Sequence, residues 1–199
     1  MRYLSILFMI LLLSCGFSNK ENKESKPPST TNSAETNEQD AIQLAHDFDF
    51  PVGKPNAVGY YNAQPFGDNN HLGDDWNAET GVNSDLGDPI YSVAVGKVVF
   101  AEDLAGSWRN VIRVVHYLPN GLTYESVYAH CENINAKDGD WVDKGEQIAT
   151  IGNANGIYLA HLHLEIRDSV GMLIGGGYSE NQTGYIDPTA FIKSNRKPK

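Results

Sequence analysis

The sequence predicts an all-β domain: antiparallel sheets forming a flattened two-layer, barrel-like body with long loops around a groove. Three observations carry this. Short runs with apolar alternation recur along the chain, turn-forming Gly, Asn, Asp and Pro punctuate them, and almost no stretch shows a helical period. No internal repeat is visible.

Taken in order, residues 47–67 are rich in Pro, Gly, Asn and Tyr without a sustained period, an irregular lead-in with room for one edge strand. His71-Leu72-Gly73-Asp74-Asp75-Trp76 follows. A His and an Asp four apart would share a helix face, but Gly73 between them and loop residues on both sides predict a turn, then loop to Gly87. Asp88–Ala94 and Gly96–Ala101 read as two short strands around a tight turn. Asn110–Tyr117 is the clearest strand, with Pro119-Asn120-Gly121 as a hairpin turn and Thr123–His130 as its partner. Turn residues from Asp138 to Gly145 lead to a strand over Gln147–Ile151. The strand at 160–167 comes after Gly152-Asn153-Ala154-Asn155-Gly156, and Ile186–Ile192 forms a last turn-and-strand or short helix.

The 199 residues divide into four parts: a signal segment at 1–14, a flexible polar tether at 15–44, the folded domain at 45–195 and a tail at 196–199. Arg2 precedes an apolar run from Ile6 to Leu13, too short to span a bilayer as a helix and shaped like a secretory h-region. It ends in Leu12-Leu13-Ser14-Cys15, which resembles a bacterial lipobox, so Cys15 is the expected lipidation site. Several acyl chains on one residue give stable anchoring where a single chain does not. Residues 18–38 are dense in Ser, Thr, Asn, Glu, Lys and Pro and carry too little apolar surface to offset ordering entropy. The expected location is therefore the bacterial cell envelope, with the membrane reached through a lipid anchor. A net charge of -10 and the absence of a basic stripe exclude nucleic acid as a natural partner. With Cys15 lipidated, Cys131 is left unpaired and no disulfide framework is implied.

The chemistry concentrates in histidines. His161-Leu162-His163-Leu164-Glu165-Ile166 alternates strictly, so one strand face carries two imidazoles and a carboxylate while the other is aliphatic. His46 reads as a surface residue and His116 as structural or exposed. His71, His130, His161 and His163 remain, with Asp75. A structural zinc site closes with four protein ligands and a catalytic one uses three. Spacing supports a metal site but does not count its ligands. Glu165 reads equally as an acceptor orienting an imidazole or as a solvated strand residue.

The ordered set His71-x-Gly73-x-Asp75, Tyr128-Ala129-His130 and His161-Leu162-His163-Leu164-Glu165 resembles the lysostaphin-type zinc metalloendopeptidases, which cut peptidoglycan peptides. Gly87-Asp88-Pro89-Ile90 through Val99 and Gly139-Asp140-Trp141-Val142-x-Lys144-Gly145 extend the likeness over residues 70–168. The resemblance implies that His71, Asp75 and His163 hold Zn2+. His130 and His161 would then be the catalytic pair, one taking a proton from water and the other donating to the developing oxyanion. The chain departs from the family at Ile157-Tyr158-Leu159-Ala160, where a Ser/Thr-Gly-Pro run is common, which bears on groove shape and not on the metal. Cys131 follows His130, but adjacent strand residues face opposite ways, so Cys131 belongs in the core rather than in a Cys-His pair. Trp76, Trp108, Trp141 and Tyr158 lie near the motifs as candidate groove aromatics.

The function these residues imply is zinc-dependent hydrolysis of peptide bonds in peptidoglycan cross-links or stem peptides. The alternative is a non-catalytic, wall-binding relative that activates another cell-wall hydrolase, which would make that enzyme its protein partner. Such relatives usually lack ligands, whereas this chain has them all. A lipoyl-like carrier is disfavoured, since neither Lys97 nor Lys144 stands in a carrier motif and a carrier has no use for His71, Asp75 and His163.

Overall fold

The structure, a computed structural model, describes residues 41–197. The expected signal segment, Cys15 and the tether up to residue 40 lie outside the described residues, as do 198 and 199. Among the described residues there are ten strands: β1 (Tyr60–Gln64), β2 (Asp74–Ala78), β3 (Pro89–Tyr91), β4 (Gly96–Asp103), β5 (Asn110–Tyr117), β6 (Thr123–Ile134), β7 (Trp141–Val142), β8 (Gln147–Ile151), β9 (Leu162–Arg167) and β10 (Tyr185–Ile186). One α-helix, α1 (Pro188–Asn195), ends the fold, and a short 3-10 turn over Asp68–Asn70 precedes His71.

The strands pair antiparallel throughout, in the order β1-β2-β9-β6-β5-β4-β7, with β10 on β9 and a branch in which β8 joins β3 to β6. The sheet is open. Its branch point is inside β6: Glu125–Ala129 pair with β9, while Cys131 and Ile134 pair with β8. Ile90, Ile148, Ala149 and Ile151 of the branch share one core cluster with Ile112, Val114, Tyr128, Leu162, Leu164 and Ile166 of the main path. The branch and the main path thus form two layers around this main core, beside a second small cluster of Val111, Val127 and Ala129, and the period-2 alternation of β9 puts its three aliphatic residues in the main one. The opposite face of β9 is left to His163, Glu165 and Arg167.

Three local expectations change. Residues 74–78 form strand β2 instead of a loop, because β9 offers a partner for it: Asp75 lies directly across from His163. Next, β3 and β4 do not pair with each other, since β3 joins β8 and β4 joins β5 and β7. Third, the strand expected from 160 begins at Leu162, and His161 is held outside it by an isolated bridge to Gly152.

The termini of the body are tied down. Leu44 bridges Tyr117, and the Ala45 N–H donates to the Tyr117 carbonyl at 2.7 Å. Asp187 caps α1, its side chain accepting from Ala190 N, with Pro188 in the first turn where its missing N–H is not needed. Phe191 and Ile192 seat the helix in the core. Asp74 accepts from Thr189 N at 3.0 Å and from Phe66 N at 2.9 Å, fastening β2 between the lead-in and the helix.

Candidate functional site

Adjacent aspartates on β2 face opposite ways. Asp74 serves the scaffold as just described, so Asp75 faces the other side, where it meets His163 from β9. His163 Nδ1 lies 2.9 Å from Asp75 Oδ1, His71 Nε2 lies 3.4 Å from the same oxygen, and the two imidazole nitrogens are 3.0 Å apart. His71 and His163 are buried. The approach of β2 to β9 is close enough to require Gly73: a Cβ there would sit 2.5 Å from the Leu164 carbonyl and 2.9 Å from His163 Cε1.

Outer hydrogen bonds fix which nitrogens point inward. The Gln64 carbonyl, 3.1 Å from His71 Nδ1, can only accept, so that nitrogen carries the proton. Glu165 Oε1 takes the same part at 3.2 Å from His163 Nε2. In the neutral form a metal needs, each ring thus offers its inner nitrogen, His71 Nε2 or His163 Nδ1, as a lone pair beside Asp75 Oδ1; with no metal bound, the same nitrogens donate to that oxygen. Three donors at a carboxylate and two imidazoles, 2.9–3.4 Å apart, suit zinc, whose bonds of about 2.0–2.1 Å place tetrahedral ligands about 3.3 Å from one another. The electrostatics agree that a cation belongs here. Burial opposes a charged imidazole at His163, yet hydrogen bonds to Asp75 and Glu165 and their charges outweigh it and raise its pKa to about 9. Burial likewise opposes the Asp75 carboxylate, but hydrogen bonds from His163 and His71 hold it well below the usual carboxylate range. Among the described residues these three form the one cluster of metal-ligating type.

His130 and His161 stand on the open side, ring centroids 4.7 Å apart. Plain alternation would send His130 to the Tyr128 side, into the core. Instead the pairing of β6 with β5 slips between Asn110 and Ile112, and His130 takes a left-handed φ of 60°. This bulge puts Ala129 and His130 on one face and returns Cys131 to the core, as expected for that cysteine. Burial pushes the Cys131 thiol up to about 12, and no Cys-His pair forms. Gly152 admits the bulge, since a Cβ there would lie 2.4 Å from the His130 carbonyl. The same glycine bridges His161, so one close approach brings both histidines together.

The two rings are not equivalent. Burial, then the neighbouring His161 and His163, lower the His130 pKa to about 3, and its Nδ1 has no hydrogen-bond partner. His161 donates from Nδ1 to the Leu159 carbonyl at 2.8 Å, which leaves the Nε2 lone pair facing the site, 3.9 Å from Asp75 Oδ1. Trp108 stacks on His130 at 5.9 Å and 20°. A cleft of about 180 Å³ opens above these groups, walled by Gln64, Ser107, Trp108, Tyr158, Gly176, Gly177 and Tyr178. It continues past His161 toward Tyr61, Ala63, Asn77 and Leu159.

With this arrangement in view, the family model described as peptidase family M23 matches residues 70–182, more than half of the chain. The chain belongs to peptidase family M23. Lipoprotein NlpD from Yersinia enterocolitica is 35% identical over 81 residues, covering 41% of this chain and 78% of that protein. For most of the curated relatives the shared stretch is far shorter than the relative, 14% to 32% of its length. Lysostaphin from Staphylococcus simulans shares the fold with a TM-score of 0.54 at 22% identity, over 75% of this chain and 54% of that one. A zinc-containing peptidase from Vibrio cholerae matches with a TM-score of 0.50 at 25% identity, over 61% of this chain and 37% of that one.

Within the M23 body, the five residues expected from sequence to hold the metal or act in catalysis, His71, Asp75, His130, His161 and His163, line one cleft. Glu165 is buried on His163 and not solvated. Of the four candidate aromatics, Trp108 and Tyr158 line the cleft. Trp76 packs in the core on Phe50, and Trp141 packs on Tyr117. His46 is exposed and His116 is buried away from the site, in a bond to Ser126 Oγ at 2.7 Å. Sequence reading missed Gln64 and Tyr178, which touch His71 from segments without a motif. The Tyr178 ring lies 5.0 Å from that of His71, and its hydroxyl donates to Gln64 Oε1 at 3.0 Å.

Proposed function

We propose that this M23 chain is a zinc-dependent endopeptidase that hydrolyses peptide bonds in peptidoglycan, in cross-links or stem peptides. We further propose that it works from the cell envelope while anchored through a lipid on Cys15. The observation that carries the catalytic reading is the convergence of three possible metal-ligand atoms, His71 Nε2, Asp75 Oδ1 and His163 Nδ1, beneath two further histidines on the open side. His71, Asp75 and His163 would hold zinc, which when bound would lower the pKa of a water toward about 7 and polarise the scissile carbonyl. His161, its Nδ1–H committed to Leu159, is placed to take a proton at Nε2. His130 is held neutral by burial, so it serves better as an N–H donor toward the developing oxyanion than as a base. Support for the anchored location comes from relatives named as lipoproteins, the Yersinia protein among them.

The competing reading, a silent wall-binding relative acting through another hydrolase, gives no role to a full ligand set with two facing histidines. Metal analysis and digestion of purified peptidoglycan test the choice. About one zinc per chain is expected. His130→Ala and His161→Ala should each cut hydrolysis by about 100-fold or more with zinc retained. A zinc-loaded wild type that releases no muropeptides by mass spectrometry would sink the enzyme reading. Loss of zinc from either variant would overturn the ligand assignment.

A further inference from the structure

Behind His163 lies a chain of buried charges that runs well beyond the one Glu165 oxygen on His163 Nε2. Glu165, Arg167 and Glu125 are each 0% exposed. Glu165 accepts from His163 Nε2 at 3.2 Å through one oxygen and from Arg167 Nε at 2.7 Å through the other. Arg167 Nη1 lies 3.6 Å from Glu125, which in turn takes two bonds of 2.9 Å from Arg113. The remaining N–H groups of Arg167 donate to the carbonyls of Met172, Leu173 and Ile174 at 3.2–3.4 Å. That segment has no helix or strand of its own, and its next residues wall the cleft. The Gly175 carbonyl accepts from Trp108 Nε1 at 3.1 Å, and the Gly177 carbonyl accepts from Leu72 N at 2.9 Å.

Buried ion pairs add little stability over apolar replacements of similar size, so stability alone does not account for two carboxylates and two guanidiniums here. Their geometry does a more specific task. Because Arg167 donates only, it holds Glu165 as an acceptor, and Glu165 then requires the proton of His163 to sit on Nε2. That leaves the Nδ1 lone pair aimed at Asp75. Through its other N–H groups the same guanidinium fixes the cleft wall.

We propose that Glu165 and Arg167 are positioning residues. Glu165 sets the tautomer and orientation of His163, and Arg167 ties that setting to the wall segment 172–178. The proposal rests on the zinc reading of the site. It makes an unusual claim about sign. In Glu165→Gln, Arg167 claims the amide oxygen and the NH2 group turns to His163 Nε2, driving the proton onto Nδ1, the nitrogen a metal needs. Adding Arg167→Met frees the amide to turn over and accept from Nε2. It also leaves no charge unpaired, because Glu125 keeps Arg113.

The test measures Zn2+ affinity by competition with a chromogenic chelator, and amide and indole hydrogen exchange, in wild type, E165Q and E165Q/R167M. E165Q should bind zinc about 10- to 100-fold more weakly than wild type. The double variant should recover to within about threefold of wild type, while the Leu72 amide and the Trp108 indole N–H, which donate to the Gly177 and Gly175 carbonyls of the wall, exchange at least about tenfold faster. A merely structural network predicts a double variant no better than the single. That result, or an E165Q affinity equal to wild type, overturns the tautomer role. Unchanged exchange overturns the tie to the wall. If wild type binds zinc and cleaves peptidoglycan in either case, only this inference falls. If wild type binds no zinc, both fall.

Discussion

At the scale of single residues, the site depends on contacts that exclude even one methyl group. Gly73 stands in the middle of the His71-x-Gly73-x-Asp75 motif, and its role is steric: a Cβ would overlap the Leu164 carbonyl and press on the His163 ring. Metal sites tolerate displacements of only about 0.5 Å. Gly73→Ala should therefore weaken zinc binding by about tenfold or more. Folding should remain cooperative, as isothermal titration and thermal melts of the same preparation would show. An unchanged affinity would mean that β2 shifts freely and the close approach has no bearing on the ligands. The same scale explains what sequence revealed. The four site histidines stand out beside small residues and turns, whereas Asp75 and the division of roles among the five were legible only through the resemblance. Gln64 contributes a backbone carbonyl and Tyr178 sits 107 positions beyond the His71 it covers, so neither left a mark in the sequence.

At the scale of elements, alternation read the β5–β6 hairpin correctly and β9 nearly so, since facing is a local property of a strand. It failed where pairing decides. Strand β2 is ordered by β9, some 88 residues away, and His130 faces the site through a bulge that alternation does not encode. The core of the β5–β6 hairpin contains a further consequence. His116 of β5 is buried between the Val95 carbonyl, 2.9 Å from Nδ1, and Ser126 Oγ of β6. Ser126 Oγ continues to Tyr128 OH at 3.0 Å. Burial lowers the His116 pKa from 6.5 to about 4. Between those values the unfolded chain binds the proton and the folded chain does not, so stability present above about pH 6.5 is lost as pH falls through about 4. The size of that loss is about 3 kcal/mol. Urea unfolding of metal-free wild type and His116→Gln across pH 4–7 should show a steeper loss in wild type, since His130, also held below its ordinary value, contributes equally to both. Equal slopes would mean that His116 is already protonated in the fold.

At the scale of the whole molecule, charge and attachment are linked. The chain carries a net charge of -10, and cleavage after Ser14 would remove Arg2 and make it more negative. A protein of that sign is repelled by anionic lipid heads, so electrostatics give it no hold on a membrane surface. The acidic balance was legible from composition, as was the apolar run that stops at Cys15, whereas the two-layer topology needed pairings that composition does not contain. If the proposed anchor is correct, membrane association rests on the lipid at Cys15 alone, with no polybasic patch as a second signal. Cys15→Ala should then abolish incorporation of labelled palmitate and move the protein from the membrane fraction to the soluble fraction at every salt concentration. Zinc content should stay at the wild-type value, because the ligands lie on β9, on β2 and just before β2, far along the chain from Cys15. Palmitate label retained on the variant would refute lipidation at this residue. A variant that loses the label yet stays with membranes, and is released by salt, would point to a charged partner there in place of the lipid.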